Sequence, residues 1–266
     1  MHTENLNRIF GAQLIFITLN SIIRLKYAII SDIHGNLEAL ESVLAEIEKE
    51  GVDSILCLGD VVGYGPNPNE CVDIIRKRTE VTLAGNHDHA PIGKLDVSYF
   101  NPWARSAVEW TADELTQSSV DFLMDLPLKI DLDGFTIVHA TPRNPEEWNY
   151  INTIGDAALN FPEFSSQICF IGHSHVPMAV YLNEKSDHLV FKKNPLKIKK
   201  NCRYIINVGS VGQPRDLNPK ASFSIYDNKA KVYENLRVGY AVAETQRKIR
   251  NTKLPEFLAE RLGLGQ

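Results

Sequence analysis

The chain has 266 residues, 44% hydrophobic and 23% charged, with a formal net charge of −5. That length suits one large domain or two small ones, and the balance is that of an ordinary globular protein. A negative chain has no global basic field, so nucleic acid is not indicated as a partner. The one local exception, Lys192-Lys193 with Lys197 to Lys200, reads as a solvated loop or edge-strand face.

The first 25 residues are expected to form an N-terminal extension. Leu14 to Ile23 is apolar but interrupted by Asn20 and Ser21. Only Arg8 precedes it as a basic residue, and no small-x-small pattern follows. It is also too short to span a bilayer, and no other segment resembles a span. Cys57, Cys71, Cys169 and Cys202 form no Cys-x-x-Cys pair, which argues against a zinc knuckle or redox dithiol. A cytoplasmic location is the expectation.

A folded domain is expected over residues 26–239. Tyr27-Ala28-Ile29-Ile30 is a short continuous apolar run, the pattern of a strand buried on both faces. A helix follows, with Leu37, Leu40, Leu44 and Ile47 on one stripe and Gly51 placed to end it. Ser54 to Leu58 reads as the second strand, Asn69 to Arg76 as a helix and Val81 to Ala84 as the third strand. Phe100 to Met124 reads as helical, with Trp103, Ala107, Val108 and Trp110 as its apolar positions. From Leu128 onward short strands dominate: 136–138, 168–171, 179–181, 204–206 and 222–225. The stretch 240–266 reads as a C-terminal helical tail. Strand–helix alternation followed by strand-rich sequence predicts two packed sheets with helices outside.

Polar residues stand immediately after these strands. Asp32 and His34 follow the first, Asp60 the second, and Asn86 and His87 the third; His139 follows 136–138, and His173 and His175 follow 168–171. Residues just beyond strand C-termini project into a common crevice in open α/β sheets. Carboxylate, imidazole and amide oxygen together suit divalent Mn, Fe, Co, Ni or Zn. A lone carboxylate at Asp60 is placed to bridge two cations through its two oxygens, roughly 3.5–4 Å apart. Each residue alone has an ordinary explanation, as a helix cap or a hydrogen-bonded core histidine; the joint pattern favours metal ligation.

The series Asp32-Ile33-His34, Gly59-Asp60, Gly85-Asn86-His87-Asp88, His139 and Gly172-His173-Ser174-His175 resembles the calcineurin-like metallophosphoesterase superfamily. Gly63 to Pro66 and Asn207 to Arg215 resemble its compact bacterial and archaeal phosphodiesterase branch. The resemblance implies an α/β (α+β type) fold, a four-layer double β-sheet sandwich flanked by helices. It implies one metal on Asp32, His34 and His175, another on Asn86, His139 and His173, and Asp60 bridging. The two divalent ions, Mn²⁺ foremost, would lower the pKa of a bridging water for in-line attack on phosphorus. His87 matches the position that protonates the leaving alkoxide.

In many relatives an aspartate three residues after the bridging one orients that histidine. Here the position is Gly63, which leaves a backbone carbonyl, water or Asp88 for the task. Arg143 and Arg215 stand in loops after strands and are candidates to clamp phosphate oxygens. Tyr64 reads as a packed turn residue, and Asn207 and Ser210 as loop-shaping. The expected activity is phosphoester hydrolysis, foremost of a small or nucleotide phosphodiester. A dinucleoside polyphosphate hydrolase or phosphomonoesterase is the alternative, and a non-catalytic scaffold a remote third.

Overall fold

The computed structural model describes residues 25–266, apart from 186, 192 and 193 and the side chains of 188, 189 and 191. The expected N-terminal extension, but for Leu25, and the Lys192-Lys193 pair lie outside these residues. Among the described residues the strands form two six-stranded sheets. The first contains β1 (Lys26–Ile30), β2 (Ser54–Cys57) and β3 (Val81–Thr82). The second takes β4 (Lys129–Leu132), β5 (Phe135–Val138), β6 (Ile168–Ile171), β7 (Met178–Leu182) and β8 (His188–Phe191). The chain then returns to the first with β9 (Leu196–Lys197), to the second with β10 (Arg203–Asn207), and ends in the first with β11 (Ala221–Asp227) and β12 (Val232–Val238). Spatial orders are β3-β2-β1-β11-β12-β9 and β4-β5-β6-β10-β7-β8.

Side-chain alternation explains why the strand sequences are apolar without a break. In β1, Ile29 faces the other sheet, while Ala28 and Ile30 face the helices. In β6, Ile168 and Phe170 join the inter-sheet core, and Cys169 and Ile171 pack outward with Phe161 and Phe164. Both faces are therefore buried, as a continuous apolar run requires. At the centre the rings of Phe135, Phe170 and Tyr226 meet edge-on or tilted, with centroids 5.5–5.7 Å apart.

Helix α1 (Leu37–Glu50) covers the first sheet with Leu40, Val43, Leu44 and Ile47. Asn36 caps it by accepting from the Ala39 N–H at 3.1 Å, and Gly51 ends it in the left-handed conformation at φ 59°. Helix α2 (Pro68–Arg78) starts one residue before the expected span, because Pro68 suits a first helical position, and runs two residues beyond it. The short α3 (Asn86–His89) follows β3. The helical stretch expected from 100 to 124 is two helices, α4 (Pro102–Glu114) and α5 (Gln117–Met124), broken where Thr116 caps the second. Trp103, read as an apolar inward position, is instead 47% exposed and stacks on Phe257. After α6 (Ile154–Asn160) on the second sheet, the C-terminal stretch forms α7 (Val242–Arg250) and α8 (Glu256–Leu264). These two pack with α4 and Tyr64 into a separate apolar cluster. The order helix–sheet–sheet–helix is the expected four-layer sandwich.

β1 runs parallel to β2 and β2 to β3; β5 runs parallel to β6 and β6 to β10. Each set therefore ends at one edge of its sheet. The loops beyond those edges are tied together: the Asp32 N–H donates to the Gly59 carbonyl at 3.0 Å and the Gly172 N–H to the His139 carbonyl at 2.8 Å. Phe170→Ala is expected to lose about 3–5 kcal/mol of stability, measured by urea unfolding. Cys169→Ala, on the outer face of the same strand, should lose far less. Equal losses would contradict an inter-sheet core as the main source of stability.

Candidate metal centre

Six of the seven predicted ligands converge, and the seventh, Asn86, lines the adjoining cavity. Ligand atoms of Asp32, His34, Asp60 and His175 all lie within 4.8 Å of one another, as do those of Asp60, His139 and His173. Asp60 belongs to both groups. Its Oδ2 stands 3.5 Å from His34 Nε2 and 3.3 Å from His139 Nε2. The expectation that both carboxylate oxygens bridge is not met, because Oδ1 accepts the His87 backbone N–H at 2.8 Å. The oxygen facing both groups is Oδ2. Asn86 turns its buried Oδ1 to no hydrogen-bonding partner among the described residues, and shares a cavity wall with His173.

Backbone carbonyls set the tautomers. His34 Nδ1 donates to Val62 O (3.1 Å), His139 Nδ1 to Leu58 O (2.9 Å) and His175 Nδ1 to Gln213 O (2.6 Å). Each of these rings therefore directs Nε2 into the cluster. His173 is reversed: its Nε2 donates to Trp148 O at 2.9 Å, which leaves Nδ1 as the acceptor. Such outer partners orient metal-ligating histidines. His34 Nε2 and His175 Nε2 are only 3.1 Å apart. With both Nδ1 atoms protonated, two neutral rings bring lone pairs face to face, an arrangement that a shared cation stabilises.

Asp32, Asp60 and Asp88 are at most 1% exposed. Burial pushes the Asp32 carboxyl up to about 7, against the pull of His139. Burial also opposes ionisation of Asp60, but His139 and the other imidazoles hold it well below the usual carboxylate range. His139 answers in kind: burial lowers it, the Asp60 and Asp32 charges outweigh that, and it rises to about 9. Burial holds His34 and His175 well below their ordinary value and His173 at about 3. Three buried carboxylates thus face one cationic imidazole and several neutral ones. Buried charge of one sign calls for a counter-charge. The donor set, Asn86 Oδ1 without a hydrogen-bonding partner among the described residues, and the facing Nε2 atoms of His34 and His175 fit a divalent ion.

Backbone geometry maintains the convergence. Asp32, His34, Asp60, His173 and His175 have φ between 50° and 66°. Left-handed residues other than glycine cost about 1–3 kcal/mol each and cluster at functional sites. Asp88, considered above as a support for His87, serves another purpose. Its oxygens accept N–H bonds from Asp60, Val61, Val62 and Gly85 at 2.7–3.2 Å. It thereby pins the Asp60 turn to α3. Gly85 is required in that turn, since a Cβ there would stand 2.0 Å from Asp60 Oδ1.

His87 lies beside the cluster without a hydrogen bond to Nδ1 among the described residues. Its ring is held by Tyr64 at 4.3 Å, His34 at 5.0 Å and Phe100 at 5.5 Å between centroids. Gly63 makes room for it: a Cβ there would meet Nδ1 at 2.8 Å. Burial lowers His87 to about 4, with the Asp60 charge offsetting part of the shift. Arg215 approaches the site, its guanidinium 5.8 Å from the Tyr64 ring centre and bonded to Gln213 Oε1. Arg143 is exposed and does not line the site cavity. Asn207 donates to Gly172 O, and Ser210 donates to Asp32 O at 2.8 Å, as loop-shaping residues would.

Sequence reasoning missed Trp148 and Tyr150. Trp148 supplies the carbonyl that orients His173, and the Tyr150 ring stacks on His173 at 4.1 Å. Asn144, two residues after Pro142, and Trp148 both adopt left-handed φ; the Asn144-Pro145 turn was the available signal.

The sequence profile of the calcineurin-like phosphoesterase superfamily domain matches residues 25–231. The chain is 40% identical over 249 residues to the uncharacterized protein MJ0912 of Methanocaldococcus jannaschii, covering 90% of this chain and 98% of that one. It superposes on a metallophosphoesterase from Sphaerobacter thermophilus with a TM-score of 0.80 at 42% identity, over 91% of this chain and 99% of the other. The hypothetical protein PH1004 of Pyrococcus horikoshii OT3 shares the fold, with a TM-score of 0.74 at 20% identity over 91% and 98% of the two chains. The chain belongs to the calcineurin-like phosphoesterase superfamily and is a phosphoester hydrolase of that metal-dependent class. No helix among the described residues is long and apolar enough to cross a membrane.

Protons and cations compete for this cluster. Asp32, titrating near 7, and His139, near 9, both release protons as pH rises from 6 to 9. Cation affinity is therefore expected to strengthen over that interval, with one to two protons released per loaded site. Calorimetric titration with Mn²⁺ in buffers of different ionisation enthalpy checks both. An affinity flat across the interval would contradict the assignment.

Proposed function

We propose that the chain is a phosphodiesterase using two divalent cations, Mn²⁺ foremost. One is held by Asp32, His34 and His175, the other by Asn86, His139 and His173, with Asp60 shared. The observation that carries this reading is Asp60 Oδ2, buried between imidazoles of both groups at 3.5 and 3.3 Å. Bound there, the ions would supply Lewis acidity and a low-pKa water beside the phosphorus.

The remaining work falls to side chains. His34, His139, His173 and His175 stay in fixed tautomers because backbone carbonyls hold their outer nitrogens. Arg215 stands on the His34 and His175 side as a clamp for non-bridging phosphate oxygens. His87, its ring 5.0 Å from His34 and 4.3 Å from Tyr64, serves as hydrogen-bond and proton donor to the leaving oxygen. Before substrate arrives the ring is neutral. An anionic ester against it raises its proton affinity, so the second proton is taken on with the substrate. A cavity of about 260 Å³ opens beside His87 to house the leaving ester group.

His87→Ala is expected to slow hydrolysis of an alkyl diester by about 10²–10⁴-fold. The same change should slow a p-nitrophenyl diester little, because that leaving group departs without a proton. Steady-state kinetics on both, with metal content checked in each preparation, measure the effect. Equal losses on the two substrates would remove His87 from the proton-donor role. A metal-loaded enzyme that turned over neither would remove the phosphodiesterase reading.

A further inference from the structure

Two partly exposed tyrosines stand beside the cluster. Tyr99, 66% exposed, precedes α4, and Tyr150, 49% exposed, follows the Pro145–Glu147 turn. They line one cavity, the same 260 Å³ space, whose floor is His87 with Asn86 and His173. Phe100, Trp148 and Tyr64 complete an aromatic lining. Among the described residues no lysine or arginine lines it, and its one carboxylate is Glu147. Arg215 stands at the edge of this lining, 5.8 Å from the Tyr64 ring centre, and the rings beyond it are uncharged.

His87 decides which end of the substrate enters the rings. The ester oxygen that leaves must lie against the proton donor, and His87 is itself a wall of the aromatic cavity. We infer that this cavity is the subsite for the leaving alcohol and that the alcohol is a nucleoside. This rests on the phosphodiesterase reading above. Water oxygen bonds to phosphorus and gives up a proton to solvent, the phosphorus–oxygen bond to the nucleoside breaks with its electron pair, and that oxygen takes a proton from His87, which regains one from solvent. The other ester stays on the phosphorus, and a phosphomonoester and a free nucleoside result.

The lining selects this class. A base has two flat faces for Tyr99 and its neighbours, and base–aromatic stacking tolerates any base. Glu147, whose oxygens accept from Asn144 and Asn149 and keep further lone pairs, and the Asn101 amide in the same lining offer hydrogen bonds to hydroxyls and amino groups, which a nucleoside carries and a plain arene lacks. The volume falls below the roughly 300–1,000 Å³ of sites that enclose drug-sized molecules, so it takes one nucleoside. A polyphosphate chain on this side would lose its water against aromatic rings and Glu147 with no cation in return.

Ligand-observed NMR of the full chain with adenosine, and with ribose alone, tests the inference. Adenosine is expected to bind and ribose is not. Tyr99→Ala should weaken adenosine binding about tenfold, the scale of a single base–aromatic stack. Tyr99→Phe should restore it, and Leu159→Ala, an exposed change outside the cavity, should leave adenosine affinity as it was. Because Tyr99 is exposed, its loss does not threaten folding. Absence of adenosine binding, or equal affinity in wild type and Tyr99→Ala, overturns the inference. Hydrolysis of bis(p-nitrophenyl) phosphate in the same preparation separates the two claims. Turnover without adenosine binding leaves the phosphodiesterase reading and removes the nucleoside subsite. Adenosine binding without turnover of any diester removes the catalytic reading and leaves a nucleoside-binding cavity. Faster cleavage of diadenosine tetraphosphate than of a dinucleoside monophosphate overturns the exclusion of polyphosphates.

Discussion

Negative charge held out of water is the constraint around which this molecule is organised. Asp32, Asp60 and Asp88 sit together with almost no exposure. Uncompensated buried carboxylates are costly enough that proteins protonate them or pair them. Here compensation is divided. Asp88 receives four backbone N–H groups, and Asp60 receives the His87 N–H and the charge of His139. What is left over points at two spots flanked by imidazole lone pairs. The counter-charge the chain omits is the one the metal-dependent family supplies from outside.

The double sheet meets that constraint by carrying the cluster beyond its strand ends. Parallel strands β1, β2 and β3 in one sheet and β5, β6 and β10 in the other bring their ends to one crevice. The strands themselves bury hydroxyl groups such as Thr136, Ser222 and Ser224 beside their apolar residues, and the acids and imidazoles of the cluster stand past their termini, where the chain must turn at once. The left-handed φ values of Asp32, His34, Asp60, His173 and His175 are the local cost of those turns. Aspartate and histidine enter this conformation more readily than most residues, so the ligand types also suit the bends they occupy. The inter-sheet core holds the ends in place and so offsets the strain.

The strand-end rule made most of this legible. Apolar runs at 27–30, 54–58, 81–84 and 168–171, each followed by an acid, amide or imidazole, were enough to gather Asp32, Asp60, Asn86 and His173 before any geometry was known. The breaks within the helical stretches were less visible, although Thr116 with Ser119 three residues on is a cap signal for α5. Strand β4 escaped because, as an edge strand with half-exposed residues, it lacks the continuous apolar run of its neighbours. The carbonyls of Val62, Leu58, Gln213 and Trp148 were beyond reach for a different reason. Every residue has a carbonyl, so a backbone acceptor leaves no mark in sequence. The aromatic cavity was hidden likewise, because Tyr64, Tyr99, Phe100, Trp148 and Tyr150 come from separate segments whose meeting depends on loop paths.

The aspartate that the resemblance led one to seek near His87 is replaced by Gly63, and the ring is kept in place by the bulk of Tyr64 and Phe100. A carboxylate dictates one bond vector and is either present or lost. Packing is graded. Tyr64 and Phe100 in turn rest on α4, α7 and α8, so substitutions in those helices can tilt the imidazole by small steps without touching the cluster itself. The chain therefore has an adjustable support where a carboxylate would give an all-or-none one. Drift in its C-terminal helices becomes a route by which one hydrolytic centre can be retuned toward different leaving groups while its cation cradle stays the same.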